Sequence, residues 1–212
     1  MKISNLLFGA NIKIPERREG GTYELADYTL GCLNNFDVGT AGLIRKDIHS
    51  FCRFGDNAEY AGSDLDNRMT KIYDSYPDEL KELIIQSTIP LYNGSGAEDI
   101  TRKVFAPTLT MVGCGKNEGV EEGLTWPIFT GRKSRKKTFN GSAACWWLSS
   151  QDSSYYAWHV NADGITFNGN SLCSGGVVPA FVIPQSVQID DTPDNDGSYR
   201  LTELTAYYNA MG

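Results

Sequence analysis

Histidine is nearly missing from this chain: His49 and His159 are the two in 212 residues. The five cysteines, at positions 32, 52, 114, 145 and 173, show none of the short spacings of a zinc knuckle. Together these absences argue against a zinc site. An odd number of scattered thiols reads instead as reduced, mostly buried cysteines without a disulfide, in a chain made in the cytosol. No apolar run approaches the roughly 18 residues that a membrane-spanning helix requires. The opening Met1–Ala10 has one lysine and a short apolar patch, too little for a secretory leader. Excess positive charge is missing too. Nineteen Lys and Arg face 26 Asp and Glu, for a net charge of −7 and a pI of about 4.9, so no nucleic-acid footprint is expected.

The motifs of common chemistries are absent as well. No Gly-x-Ser-x-Gly elbow exists, and His159 has no nucleophile in a recognisable order around it. Asn93-Gly-Ser-Gly-Ala97 lacks the Gly-Lys-Ser/Thr ending of a phosphate loop. Asp190–Asp196 superficially suggests calcium. With Asp191 taken as the first loop position, however, Asp196 and Thr202 fall where an EF-hand needs Gly and Glu. The carboxylate pairs Asp190-Asp191 and Glu121-Glu122 lie in loops, where no glycosidase pairing can be read. The expectation is a protein that is not an enzyme, with no cofactor and no bound metal.

What is present is enough for a core: 41% hydrophobic residues and 11% aromatic ones. The texture is short apolar runs broken by Gly, Asn, Asp and Ser, with 22 glycines. Strands are expected at 12–14, 23–33, 42–48, 157–160, 165–167 and 177–183. Asn161-Ala-Asp-Gly164 and Asn168-Gly-Asn-Ser171 read as the turns between the later ones. Helices are expected near 63–73, capped by Ser63 or Asp64 with Leu65, Met69, Ile72 and Tyr73 on one face, and near 77–86, opened by Pro77 and acids. An extended segment follows at 88–91. Residues 104–112, with Pro107 inside, suit a turn, a short helix or an edge strand. The basic run Arg132–Lys137 reads as a solvated loop or a contact for an acidic partner or a polyanionic surface glycan. A polar linker at 190–197 leads to Ser198–Tyr208, a strand or helix that docks on the body or on a neighbour. The fold class is therefore α+β, helices early and small antiparallel strands late, with no internal repeat.

The most concentrated signal is Cys145-Trp-Trp-Leu-Ser-Ser150, then Tyr155-Tyr-Ala-Trp-His-Val160, then Gly175-Gly-Val-Val-Pro-Ala-Phe181. Trp146, Trp147, Trp158 and Phe181 suit a scaffold. Residues 149–174 are dense in Ser, Tyr, Asn, Asp and Gly, a composition like an antibody paratope. Tyr155, Tyr156, His159, Asn161, Asn168 and Asn170 are the candidate ligand contacts.

These residues also carry a resemblance. Trp146-Trp-Leu-Ser-Ser150, Ala157-Trp-His-Val-Asn-Ala-Asp-Gly164 and Gly176-Val-Val-Pro-Ala-Phe181 resemble a domain of unknown function widespread in phages and gut bacteria. That domain reads Trp-Trp-Leu-Arg-Ser-Pro, then a strand ending in Asp-Gly, then Gly-Val-Arg-Pro-Ala. Leu43–Ile48, Tyr60–Leu65, Ile89-Pro90 and Val104–Leu109 extend the likeness, which covers residues 1–185 and leaves 186–212 as a docking or assembly extension. Ser149 and Val178 stand where the family has arginine. The opening Met1–Leu6 is similar to phage-encoded members.

The resemblance implies a C-type-lectin-like fold, shared by phage tropism determinants and formylglycine-generating enzymes. The latter's catalytic cysteine pair has no match here. The Glu-Pro-Asn and Trp-Asn-Asp motifs of calcium-dependent lectins are absent too. The resemblance further implies a virion protein at a tail tip, fibre or capsid surface, assembled in the host cytoplasm. Its expected partners are a bacterial surface receptor, protein or glycan, other virion subunits and further copies of itself. The alternative is a structural virion component whose domain only joins subunits.

Overall fold

The computed structural model describes residues 1–16, 21–33 and 36–211. It is a mixed α+β domain built mostly of small sheets. In chain order the strands of the first half are β1 (Asn11–Ile14), β2 (Gly21–Leu33), β3 (Phe36–Arg45) and β4 (Ser50–Arg53). Helices α1 (Asp64–Ser75) and α2 (Asp78–Leu83) follow, then β5 (Ser87–Tyr92), β6 (Ala97–Arg102) and β7 (Val104–Phe105). The second half holds β8 (Lys137–Phe139), β9 (Ser142–Ala144), β10 (Trp146–Ser153), β11 (Tyr156–Val160), β12 (Thr166–Asn170), β13 (Ser174–Val177), β14 (Ala180–Pro184), β15 (Ser198–Arg200) and α3 (Thr205–Met211).

Two sheets dominate. One has six strands in the order β15-β1-β2-β3-β14-β7, the other five in the order β12-β11-β10-β13-β4. Pairing is antiparallel except for β1 with β15 and β10 with β13. The hairpins β5–β6 and β8–β9 stand beside them. Tyr23, Phe54, Phe105, Trp146 and Phe181 are fully buried in one continuous apolar cluster.

Helix α1 begins where its cap lies. The Ser63 hydroxyl accepts from the Asp66 backbone N–H at 3.1 Å, and Leu65, Met69 and Ile72 are buried as their spacing requires. Asp66 is buried too, and the Arg102 guanidinium grips it with two nitrogens at 2.7 and 2.6 Å, tying α1 to β6. Helix α2 ends at Leu83, short of the expected 86. Ile84 turns extended and is buried, and the Ile85 N–H donates to the Val182 carbonyl at 2.8 Å, so sheet contact displaces the last helical turn.

Other expectations change or narrow. The run 177–183 is two strands in different sheets: Val177 pairs with Ser50 and Ala180 with Ile44, with Pro179 at the crossing. Asn168-Gly-Asn170 belongs to β12, and the chain turns only after it. The basic run is only partly solvated. Lys137 is buried, its ammonium donating to Glu24 Oε2 at 3.0 Å and to the Arg45 carbonyl at 2.8 Å, while Arg135 donates to the carbonyls of Gly164 and Val112. Among the described thiols, Cys52, Cys114 and Cys145 are half-buried and unpaired and Cys173 is exposed; Cys32 has no described side chain. The tail docks on its own body. β15 lies parallel to β1, Leu201, Leu204 and Tyr208 join the common core, and the Tyr208 hydroxyl donates to the Lys13 carbonyl at 2.7 Å. Those side chains are thus not left over for a neighbouring subunit.

Candidate functional site

The site is assembled around β10, β11 and β12. Register places Trp147 beside His159 and His159 beside Phe167 on one face, and Trp146 beside Val160 on the other. The first row continues inward as a chain of edge-on rings: Phe54 to Trp147 at 5.6 Å, Trp147 to His159 at 5.5 Å, His159 to Phe167 at 6.3 Å. It runs from a buried ring to an exposed one.

The Trp147 indole needs glycines beneath it. A β-carbon on Gly175 would stand 2.5 Å from Trp147 Nε1, and one on Gly169 would stand 3.2 Å from Trp147 Cη2 and 2.9 Å from His159 Nδ1. These mid-strand glycines are therefore seats for rings rather than turn residues. The indole N–H completes the seat by donating to the Cys52 carbonyl at 3.2 Å.

The six candidate contacts do not form one patch. Tyr155 and Tyr156 are exposed at the β10–β11 turn, 61% and 43% respectively. Tyr156 shares a face with Asn170, and Trp158 with Asn168. His159 points to the opposite face, half-buried, and its burial disfavours the charged imidazolium and holds its pKa below the ordinary histidine value. The asparagines have local work. Asn161 Oδ1 meets His159 Nε2 at 2.9 Å, Asn168 Nδ2 donates to Asp152 at 3.0 Å, and Asn170 Oδ1 accepts from the Leu172 N–H at 3.0 Å. Trp146, Trp147 and Phe181 are buried, as a scaffold should be; Trp158 is half-buried and donates to Asn117 Oδ1 at 3.2 Å.

An open groove lies beside Tyr155. It is lined by Asn57, Glu59, Asn93, Glu98, Gln151, Ser154 and Tyr155. Three loops supply it: the segment after β4, the β5–β6 hairpin and the β10–β11 turn. The Ala58 N–H donates to the Ser154 carbonyl at 3.0 Å, joining the first to the third. Asn93 folds the hairpin tip by accepting from the N–H groups of Ser95 and Gly96, and its amide donates to Glu98 at 3.1 Å. The lining combines amides, carboxylates, a hydroxyl and one aromatic ring, with no cation. Asn57, Glu59, Asn93, Glu98 and Gln151 were not anticipated from sequence. The Asn-Gly-Ser-Gly tip was visible as a loop, but nothing local brings residues 57, 93 and 151 together.

Beneath the groove runs a buried polar network. Glu122 is fully buried and accepts from the Tyr92 N–H at 2.9 Å, from Asn117 Nδ2 at 3.0 Å and from the Ser150 hydroxyl. Burial raises its proton affinity above that of an ordinary carboxyl, against the pull of those donors. Asn117 Nδ2 also donates to the Gln151 carbonyl at 2.7 Å, so the network supports the floor from which Tyr155 projects.

No curated protein and no solved structure matches the chain. A family model does, over residues 39–185, well over half the length and including the β10–β14 region that holds the aromatic scaffold. The chain belongs to the DUF6273 family, a domain of unknown function.

Proposed function

We propose that the chain is a non-enzymatic recognition module on a virion surface, at a tail tip, fibre or capsid, and that it binds a bacterial surface glycan in the groove beside Tyr155. The groove's chemistry carries this reading. Amide and carboxylate side chains hydrogen-bond sugar hydroxyls, an exposed tyrosine ring covers the apolar face of a pyranose, and the absence of a lining cation disfavours anionic ligands. The exposure of Tyr155 and Tyr156 suits a distal binding surface on a C-type-lectin-like scaffold, and the phage-like opening of the sequence supports the virion setting.

One observation favours a second reading. Glu59 and Glu98 line the same groove, and a glycoside hydrolase needs two carboxylates flanking its bond. Both are exposed, unlike a general acid set in a closed apolar pocket. Release of new reducing ends from a bound polysaccharide would establish hydrolysis and overturn simple recognition.

The direct test is attachment to a panel of bacterial isolates. Tyr155→Ala combined with Tyr156→Ala should lower attachment at least tenfold with the melting temperature nearly unchanged, because both rings are exposed. Normal attachment by this variant would refute the assignment.

A further inference from the structure

We infer that the chain pairs with a second copy of itself through β12, edge to edge, the two strands running antiparallel about Asn168. β12 ends the order of the five-stranded sheet. The Asn161 N–H donates to the Ile165 carbonyl at 2.8 Å and the Ser171 N–H to the Tyr155 carbonyl at 2.9 Å. In an antiparallel ladder inward-bonding residues alternate, so 165, 167, 169 and 171 bond toward β11. The N–H and C=O groups of Thr166 and Asn168, and the N–H of Asn170, are directed outward, to the free side of the sheet.

Exposed edges are normally guarded by charge, proline, a bulge or shortness. The other edges of the two large sheets are. β4 ends in Arg53, ion-paired with Asp56 and Asp64; β15 carries Arg200, paired with Asp194; β7 has two residues. β12 has no such guard. Its register with β11 runs unbroken, and no charged residue occurs from Gly164 to Phe181. Ile165, Phe167 and Leu172 are instead exposed around it, 39%, 59% and 55% respectively.

The sequence Thr166-Phe-Asn-Gly-Asn170 is its own complement. Pairing about Asn168 sets Asn168 against itself, where outward N–H and C=O groups meet reciprocally, and brings the Thr166 C=O to the Asn170 N–H of the second copy. It also sets Phe167 against Gly169 of the second copy, a large ring beside a residue with no side chain, on the face where the ring row from Phe54 to Phe167 ends. No like charges meet. A foreign strand would satisfy the same backbone groups, whereas a second β12 also sets Phe167 against Gly169.

Sedimentation of the full chain over a range of concentrations tests the pairing. A monomer–dimer equilibrium is expected, and Phe167→Lys, at an exposed position, should abolish the dimer while melting close to wild type. Asn168→Cys tests the register. Two-fold pairing brings position 168 opposite itself at about the 5.5 Å Cα separation that a disulfide spans. Mild oxidant should therefore cross-link this variant into a dimer, whereas Phe167→Cys and wild type, with its exposed Cys173, should stay largely uncross-linked. A wild type that is monomeric at every concentration, with or without another protein strand seated on β12, overturns the inference. So does a dimer that survives Phe167→Lys while Asn168→Cys fails to cross-link.

Discussion

Gly175→Ala isolates the packing claim on which the aromatic scaffold rests. Gly175 lies in β13, where a side chain is sterically allowed, so its substitution tests space alone. The new methyl would stand 2.5, 2.7 and 2.9 Å from Nε1, Cε2 and Cδ1 of Trp147. The indole has little room to move, being 2% exposed and enclosed by Phe54, His159 and Gly169. Overpacking of this kind costs about 1–3 kcal/mol. Displacing the ring also weakens the hydrogen bond to the Cys52 carbonyl, a further ~0.5–1.5 kcal/mol. The expected loss is roughly 2–4 kcal/mol, or a fall in melting temperature of about 5–15 °C for a domain of this size. Denaturant unfolding followed by far-ultraviolet circular dichroism reads it without depending on tryptophan emission. Trp147→Phe removes the colliding pyrrole nitrogen, so the double variant should lose less than the two single losses added, by about 1 kcal/mol. A Gly175→Ala protein within about 0.5 kcal/mol of wild type, or strict additivity in the double variant, would refute the seat.

Gly164→Ala should cost at least as much, since Gly164 has φ +86° and its β-carbon would collide with the Arg132 carbonyl at 1.9 Å; Gly62→Ala, with φ +78° and open space around it, should cost only about 1 kcal/mol in the same unfolding assay. Glu122 predicts a pH dependence. Its folded form holds a proton more tightly than the unfolded chain, so this contribution to stability is full below about 4.5, the ordinary value, and is lost as pH rises through the raised one. Glu122→Gln lacks that loss, so the stability difference should shift toward the variant as pH rises above about 4.5, measured by unfolding at each pH; a difference constant with pH would contradict the assignment.

The parts legible in sequence are those written locally. Ser63 and the spacing of Leu65, Met69 and Ile72 marked α1 because a helix caps and buries through near neighbours. The burial of Trp146, Trp147 and Phe181 followed from their size. Long-range matters were not legible. Gly169 looked like a turn residue because its reason, the overlying Trp147 and His159 rings, comes from other strands. The polar run of β6 gave little strand signal, since Ile100 is its one buried residue. The docking of Leu201, Leu204 and Tyr208 depends on β15 finding β1 across almost the whole chain. The groove has the same origin. Tyr155 was singled out by its neighbours in sequence, while Glu59, Asn93 and Glu98 reach it only through the fold.

The most direct measurement is binding of the purified chain to an array of bacterial surface polysaccharides and their oligosaccharides, beside Tyr155→Ala and the pair Glu59→Gln with Glu98→Gln. The account predicts that wild type binds a neutral or amine-bearing glycan without shortening it, and that both variants lose at least tenfold in affinity while unfolding like wild type. Binding that is unchanged in both variants, or no binding to any glycan on the array, would contradict it.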